Sequence, residues 1–133
     1  MITLQLTIPE NVIKDIFITA TEGACSEWMG FDPEIKWLLK DTEGSCFSEK
    51  VFNYVIKEKK TLFIFDLDTY TSEDGAQSIG KLSFDTIQSG LQKMLNDPQE
   101  RDSLLSELQD QGNDAHTTDY IMQYIVLGEV VYG

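Results

Sequence analysis

The chain has 133 residues, 41% of them hydrophobic, and a net charge of −13 from 23 acidic and 10 basic side chains. This length predicts one globular domain, residues 1–133, large enough to bury a core without a staple. An acidic chain has few of the lysines and arginines that phosphate contacts need, which argues against direct nucleic-acid binding and against an anionic membrane surface.

The charge is unevenly distributed. Residues 1–60 carry ten acids against seven bases, a net of −3, whereas residues 61–133 carry thirteen acids against three bases, a net of −10. The second half is therefore suited to a basic partner. The alternative is that the negative charge only keeps the protein soluble and indicates no partner. The chain start does not resemble a secretory signal, so we expect a cytoplasmic protein with Cys25 and Cys46 as buried free thiols.

The first third of the chain predicts a strand, a helix and a second strand. Residues 1–7 alternate between apolar and polar side chains, as a half-buried strand does. A helix is predicted over 8–21, with Thr7 and Glu10 forming a capping box. Residues 35–39 alternate again and favour a strand.

The middle of the chain predicts a helix followed by a hairpin. Apolar residues recur at helical spacing from Phe47, although residues 51–56 also have the composition of a strand. The apolar run 61–67 is the clearest candidate for a central strand. Residues 68–77 then read as a loop, and 78–83 as the returning strand.

The last third predicts three helices. The first covers 84–95, weakened by Gly90, and Asp97-Pro98 separates it from a thinly amphipathic surface helix. The third is apolar on nearly all sides, so it should be buried, with Asp114 or Thr117 as its cap and Gly128 at its end. It is too short to span a membrane.

Residues 130–132, Val-Val-Tyr, favour a short final strand because they are β-branched and aromatic. The resulting order of strands and helices predicts an α+β fold, a single small domain in which a mostly antiparallel sheet is covered by helices.

Three stretches together resemble a family of small acidic proteins encoded by bacteriophages and prophages. They are residues 19–24 leading to Trp28, the hairpin that precedes the helix 84–95, and residues 119–124 running into 127–133. Members of that family show T-A-x-E-G-G followed by Tyr-Trp, and they end in F-G-E-V-V-x-G after a helix that contains glutamine.

This chain departs from the family pattern at three positions. Ala24 stands where a second glycine is usual, Glu27 where an aromatic is usual, and Leu127 where phenylalanine is usual. The resemblance implies a phage-encoded accessory protein that acts in the host cytoplasm by binding. A host defence or nucleic-acid-binding protein is the kind of partner it implies.

Enzymatic motifs are present only in incomplete form. Asp66-x-Asp68 after an apolar strand is similar to the phosphatase motif of the haloacid dehalogenase superfamily. The residues that follow it show neither a strand pattern ending in an acidic pair nor a clearly placed catalytic lysine. The same loop lacks the glycine and final glutamate of a calcium loop. His116 is the single histidine, too few for a zinc cluster. We therefore predict no enzyme, no metal and no cofactor.

The leading hypothesis is a binding protein that occupies a basic surface of a host protein, partly by mimicking the charge of nucleic acid. A homodimer is also compatible with the sequence. The candidate partner-binding residues are acids of the second half: Asp66, Asp68, Glu73, Asp74, Asp97, Glu100, Asp102, Glu107 and Asp110.

Two alternatives stay open. The first is a protein that binds or sequesters a nucleotide signal through Glu22, Gly23, Trp28 and Lys36, with backbone N–H groups and an aromatic ring holding the ligand. The second is a structural or assembly accessory of the phage. The aromatic cluster of Trp28, Phe31 and Trp37 fits either a core or a recognition surface.

Overall fold

The computed structural model describes residues 7–67, 78–110 and 114–133, except for the side chain of Asp110. Six α-helices surround a three-stranded antiparallel sheet in this part of the chain, which confirms the predicted α+β class. The predicted strand over residues 1–7 and the loop over 68–77 fall almost entirely outside the described residues.

The sheet has the order β1-β2-β3, with β1 at Met29–Phe31, β2 at Leu62–Asp66 and β3 at Ser78–Leu82. Strand β2 lies in the centre, as its continuous apolar run predicts. It pairs antiparallel with β3, which confirms the hairpin. Strand β1 is missed by sequence reasoning because its three residues are too few to show a period.

Helix α1, Glu10–Thr19, continues into a wider π-helical turn at Ala20–Ala24, which confirms the predicted helix over 8–21. The predicted capping box is wrong. Pro9 is the N-cap and no side chain caps the helix. The carboxylate of Glu10 instead forms a salt bridge with the ammonium of Lys57, at 2.6 Å, and not a hydrogen bond to the backbone at the start of its own helix.

The predicted strand over 35–39 is wrong, because residues Ile35–Leu38 form a single helical turn, α2. The turn starts at Asp32, whose side chain accepts the Glu34 N–H at 2.8 Å and whose carbonyl accepts the Ile35 N–H at 2.9 Å. These local bonds outweigh the alternating pattern and leave Trp37 62% exposed.

Helix α3, Phe47–Phe52, extends through a second π-helical turn at Asn53–Lys57, so the helical interpretation of this segment holds over the strand alternative. Helix α4 runs over Phe84–Asn96, with Ser83 and Thr86 forming a capping box at its start. Helix α5 covers Arg101–Asp110.

Helix α6, Ala115–Val126, is the centre of the fold. Its residues from Ile121 to Val126 are all buried, and Asp114 caps its first turn by accepting the N–H groups of His116 and Thr117. The helix ends before Gly128, whose φ of +82° is a left-handed conformation that glycine adopts readily. The burial of α6, its N-cap at Asp114 and its end before Gly128 therefore confirm the sequence prediction.

Gly90 explains how closely α4 approaches α6. A Cβ atom at this position would lie 2.4 Å from the Cα of Ile125. The glycine therefore weakens α4 as a helix former but permits backbone-to-backbone packing against the buried helix. In the described part of the chain, no helix is long and apolar enough to cross a membrane.

Candidate functional site

The predicted acidic residues occupy three different environments. Asp68, Glu73, Asp74 and the side chain of Asp110 lie outside the described residues. Among the others, Asp102 is exposed on α5, Glu100 is half-buried just before it, and Glu107 is only 6% exposed. The acids do not form one uniform surface.

Glu107 is a structural residue, so its assignment to a partner-binding face is wrong. Its carboxylate accepts the backbone N–H of Asp114 at 3.4 Å, where the chain enters α6. The thin apolar stripe of α5 turns this side of the helix toward the protein, with Leu104 1% exposed. Glu107 follows one turn after Leu104 and is buried with it.

Asp97 has a structural role as well. Its carboxylate accepts the Tyr124 hydroxyl at 2.5 Å and the Gln99 N–H at 2.9 Å, which joins the α4–α5 connection to α6. The Tyr124 hydrogen bond lowers the pKa of Asp97, so the carboxylate stays charged. The pKa of Tyr124 is raised to about 12, first by burial and then by the same contact.

Salt bridges are confined to the first half of the described chain. They join Lys57 to Glu10 and Lys60 to Glu58. The described acids that follow β2 form no salt bridge with a described base. Several of these acids face solvent without a described base as an ion-pair partner, as at Asp85, Asp102 and Glu129, which are all exposed.

Asp66 ends β2 at the inner face of the sheet and is half-buried, paired in register with Met29. Asp68, the second aspartate of the incomplete phosphatase-like motif, lies outside the described residues. Within 7–67, 78–110 and 114–133, no three His, Cys, Asp or Glu side chains are grouped so that they could hold a metal ion.

The alternative ligand-binding residues differ in burial and belong to different elements. Gly23 has φ +151° and is exposed next to Glu22, whereas Lys36 stands on α2. Trp28 is 2% exposed. Its indole face is already stacked on Tyr132, with ring centroids 5.9 Å apart and planes 11° apart. In this arrangement Trp28 offers no free face to a nucleotide base, which corrects its assignment as a ligand-stacking residue.

The aromatic cluster of the sequence is divided by the fold. Trp28 belongs to the core, Phe31 is half-buried against Phe47, and Trp37 is exposed with the ammonium of Lys40 4.6 Å from its ring centre. Neither the core reading nor the surface reading describes all three residues.

A buried polar cluster lies beneath Tyr132 and was not predicted. The indole N–H of Trp28 donates to Oδ1 of Asp119 at 2.6 Å, and the amide of Gln123 approaches the same oxygen at 3.3 Å. Cys25 also faces Asp119, and burial together with this carboxylate raises the pKa of its thiol far above the ordinary range. Cys25 is therefore an inert thiol at neutral pH.

Gln123 holds the last residues of the chain in place. Its side-chain carbonyl accepts the N–H groups of Val131 and Tyr132, both at 2.8 Å, and its amide donates to the Tyr132 carbonyl at 2.9 Å. The predicted strand over 130–132 is wrong for this reason: its backbone groups pair with one side chain and not with a neighbouring strand. We call residues 129–133 the closing segment.

Each of the first and third stretches that carry the family resemblance contributes to this cluster. Trp28 follows the first stretch, Asp119 and Gln123 belong to the third, and the closing segment ends it. Gln123, the single polar residue within the apolar run of α6, was the signal that could have revealed the cluster, since a fully buried amide needs hydrogen-bond partners.

Cys46 contrasts with Cys25. It is exposed at the N-cap of α3, so the prediction of a buried thiol is wrong at this position and confirmed at Cys25. The Cys46 sulfur lies 3.2 Å from the Ser48 hydroxyl. Hydrogen bonds from Ser48 and then from the Glu49 backbone lower the pKa of this thiol.

No family model, curated protein or solved structure matches this chain. The resemblance to phage-encoded proteins therefore stays a prediction.

Proposed function

We propose that the protein is an accessory binding protein whose acidic second half engages a basic surface of another protein. The observation that carries this proposal is the absence of salt bridges among the described acids that follow β2, where described bases are also few, whereas Glu10 and Glu58 in the first half are each paired with a lysine. Unpaired surface charge of one sign steers a partner of opposite sign and accelerates its association.

The partner-facing set is smaller than the sequence suggests. Three described candidates remain after Glu107 and Asp97 are assigned to structure: Asp66 at the end of β2, and Glu100 and Asp102 at the start of α5. We place the partner-facing surface at Glu100 and Asp102, which neighbour each other along the chain. Glu100 belongs to the α4–α5 connection that Asp97 and Tyr124 fix to the buried helix, and Asp102 lies in the first turn of α5 directly after it. The acids are thus presented from a rigid base, which lowers the entropy lost on binding.

The resemblance supports a more specific form of the proposal. In that form the chain is phage-encoded, acts in the host cytoplasm and inhibits a host defence or nucleic-acid-binding protein by resembling nucleic acid in charge. A basic nucleic-acid site is complementary to a chain with a net charge of −13. The nucleotide-binding alternative is weaker, because Trp28 is buried and its ring is stacked on Tyr132.

A capture experiment with matched variants tests the proposal. Glu100→Gln with Asp102→Asn removes two charges at α5, and Glu22→Gln with Glu27→Gln removes two exposed charges from the first half. We expect a bacterial protein retained by the parent to be lost in the first double variant and kept in the second. Retention should weaken between about 50 and 200 mM salt, because exposed charge pairs are screened over that range.

Two outcomes count against the proposal. In one, no bacterial protein is retained at low salt. In the other, a retained protein responds equally to both double variants, which would show that general acidity and not the α5 surface is responsible.

A further inference from the structure

The closing segment lies in a groove as an extended peptide would. Val130 packs against the core, Val131 is 56% exposed, and Tyr132 turns back so that its ring stacks on Trp28. The side chains of Val130 and Tyr132 contact the protein while Val131 does so least, as in an extended chain, although the segment belongs to no sheet and Tyr132 is still 37% exposed.

The groove recognises the segment mainly through its backbone. Gln123 accepts two successive N–H groups and donates to one carbonyl, a pattern that any residue other than proline can satisfy at these positions. Side-chain selection is limited to the apolar position of Val130 and the aromatic position of Tyr132. A groove with these properties reads an apolar-x-aromatic segment in an extended conformation.

The floor of the groove is fixed without the closing segment. The Trp28 indole is held by its 2.6 Å hydrogen bond to Asp119, and the Gln123 amide is oriented by the same carboxylate. Neither bond involves the closing segment, so we expect the binding groups to keep their geometry when the segment leaves. Gly128, with φ +82°, joins the segment to α6 and is a natural point of rotation.

We propose that the groove lined by Trp28, Asp119 and Gln123 is a binding site for an extended apolar-x-aromatic segment of a partner protein, and that the closing segment occupies it as an internal competitor. The partner segment displaces residues 129–133 and takes over their three hydrogen bonds to Gln123 and their stacking contact. This site is separate from the acidic α5 surface, so each proposal can fail without the other.

The test uses the full chain with Trp37→Phe, which removes the exposed indole and leaves Trp28 as the only tryptophan reporter. A second protein carries Tyr132→Ala in addition, which removes the stacking ring. We expect acrylamide to quench Trp28 at least about threefold more strongly in the second protein, while circular dichroism stays unchanged, because the closing segment no longer shields the ring.

Three neutral peptides then probe the groove of the Tyr132→Ala protein. Acetyl-Val-Val-Tyr-Gly-amide should restore the protection of Trp28. The version with alanine for tyrosine should need at least about tenfold more peptide, since it cannot stack. The version with proline at the second position should also bind at least about tenfold more weakly, since it lacks the N–H that matches Val131.

A second measurement avoids the tyrosine variant. In the Trp37→Phe protein, the first peptide should accelerate hydrogen exchange of the Val131 and Tyr132 N–H groups, as the closing segment is displaced. Unchanged quenching in the Tyr132→Ala protein would overturn the proposal. So would peptides that act equally, or a first peptide that leaves both Trp28 protection and the exchange of the closing segment unaltered.

Discussion

Replacing Gln123 with leucine removes the hydrogen bonds that hold the closing segment. Gln123 is fully buried, and it makes three hydrogen bonds to Val131 and Tyr132 besides its contact with Asp119. Leucine has a similar volume, so the change deletes polar contacts and leaves little cavity. The variant therefore isolates the contribution of the amide.

The size of the effect follows from these contacts. A typical intramolecular hydrogen bond contributes about 0.5–1.5 kcal/mol net, so three bonds give about 2–4 kcal/mol. The closing segment can turn its released N–H and carbonyl groups toward water, because Val131 is already largely exposed. The loss in the free energy of unfolding should therefore be near the lower value, about 2 kcal/mol. That corresponds to a fall in Tm of about 4–8 °C for a chain of this size.

Chemical denaturation monitored by circular dichroism measures the difference. Gln88→Leu is the matched control, because Gln88 is exposed on α4 and the substitution is the same. We expect the control to stay within about 0.5 kcal/mol of the parent, as surface substitutions usually do. If Gln123→Leu also stays within that margin, the amide does not anchor the closing segment and the account of the buried cluster fails.

Three further predictions concern other contacts. The lowered pKa of Asp97 stabilises the folded protein at pH values above the ordinary pKa of an aspartate, and this stabilisation is lost as the pH falls through the lowered pKa of the folded state. Tyr124→Phe removes the main cause of the shift, so it should raise the pKa of Asp97 in an NMR titration and make the free energy of unfolding less dependent on pH in acid. An unchanged pKa would contradict this. Gly90→Ala should lower the Tm despite the better helix former, because the new Cβ would lie 2.4 Å from a backbone atom of α6; a raised Tm would argue against that close packing. Cys46 should react with a thiol reagent in the folded protein at neutral pH, whereas Cys25 should react only after unfolding. Equal rates, resolved by mass spectrometry, would refute this contrast.

Elements with a strong local signal were predicted well from the sequence. The central strand at Leu62–Asp66 is a continuous apolar run, and α6 is an apolar segment between a capping aspartate and a glycine. In both elements, the local conformational preference of the residues and the burial of their apolar side chains favour the same secondary structure, so tertiary packing does not change the predicted conformation. The α+β class followed from their order.

The errors fall where a side chain replaces a backbone partner. The Asp32 carboxylate starts a helical turn in a segment that alternates like a strand. The Gln123 amide pairs with residues that have the composition of a strand. Glu10 binds Lys57 and not its own helix start. Each of these outcomes depends on geometry across the fold or within a turn, which periodicity does not contain.

The candidate site was less predictable than the fold. Charge counts identified an acidic second half, but they treated Glu107 and Asp102 alike, although one is buried and the other exposed. The two acids differ because Glu107 lies on the same side of α5 as the buried Leu104, whereas Asp102 does not. The apolar stripe of α5 has so few residues that the sequence alone does not define which side of the helix faces the protein. Trp28 was likewise compatible with core or surface until its partner Asp119, 91 positions away, was located.

The most direct test of the proposed function is the salt dependence of binding, measured by calorimetry with the captured partner and the parent protein. If the acidic surface makes the contact, the logarithm of the association constant should fall steadily with the logarithm of salt concentration. Glu100→Gln with Asp102→Asn should flatten that slope, whereas Glu22→Gln with Glu27→Gln should preserve it. A slope near zero for the parent, or the same slope in all three proteins, would contradict the proposal.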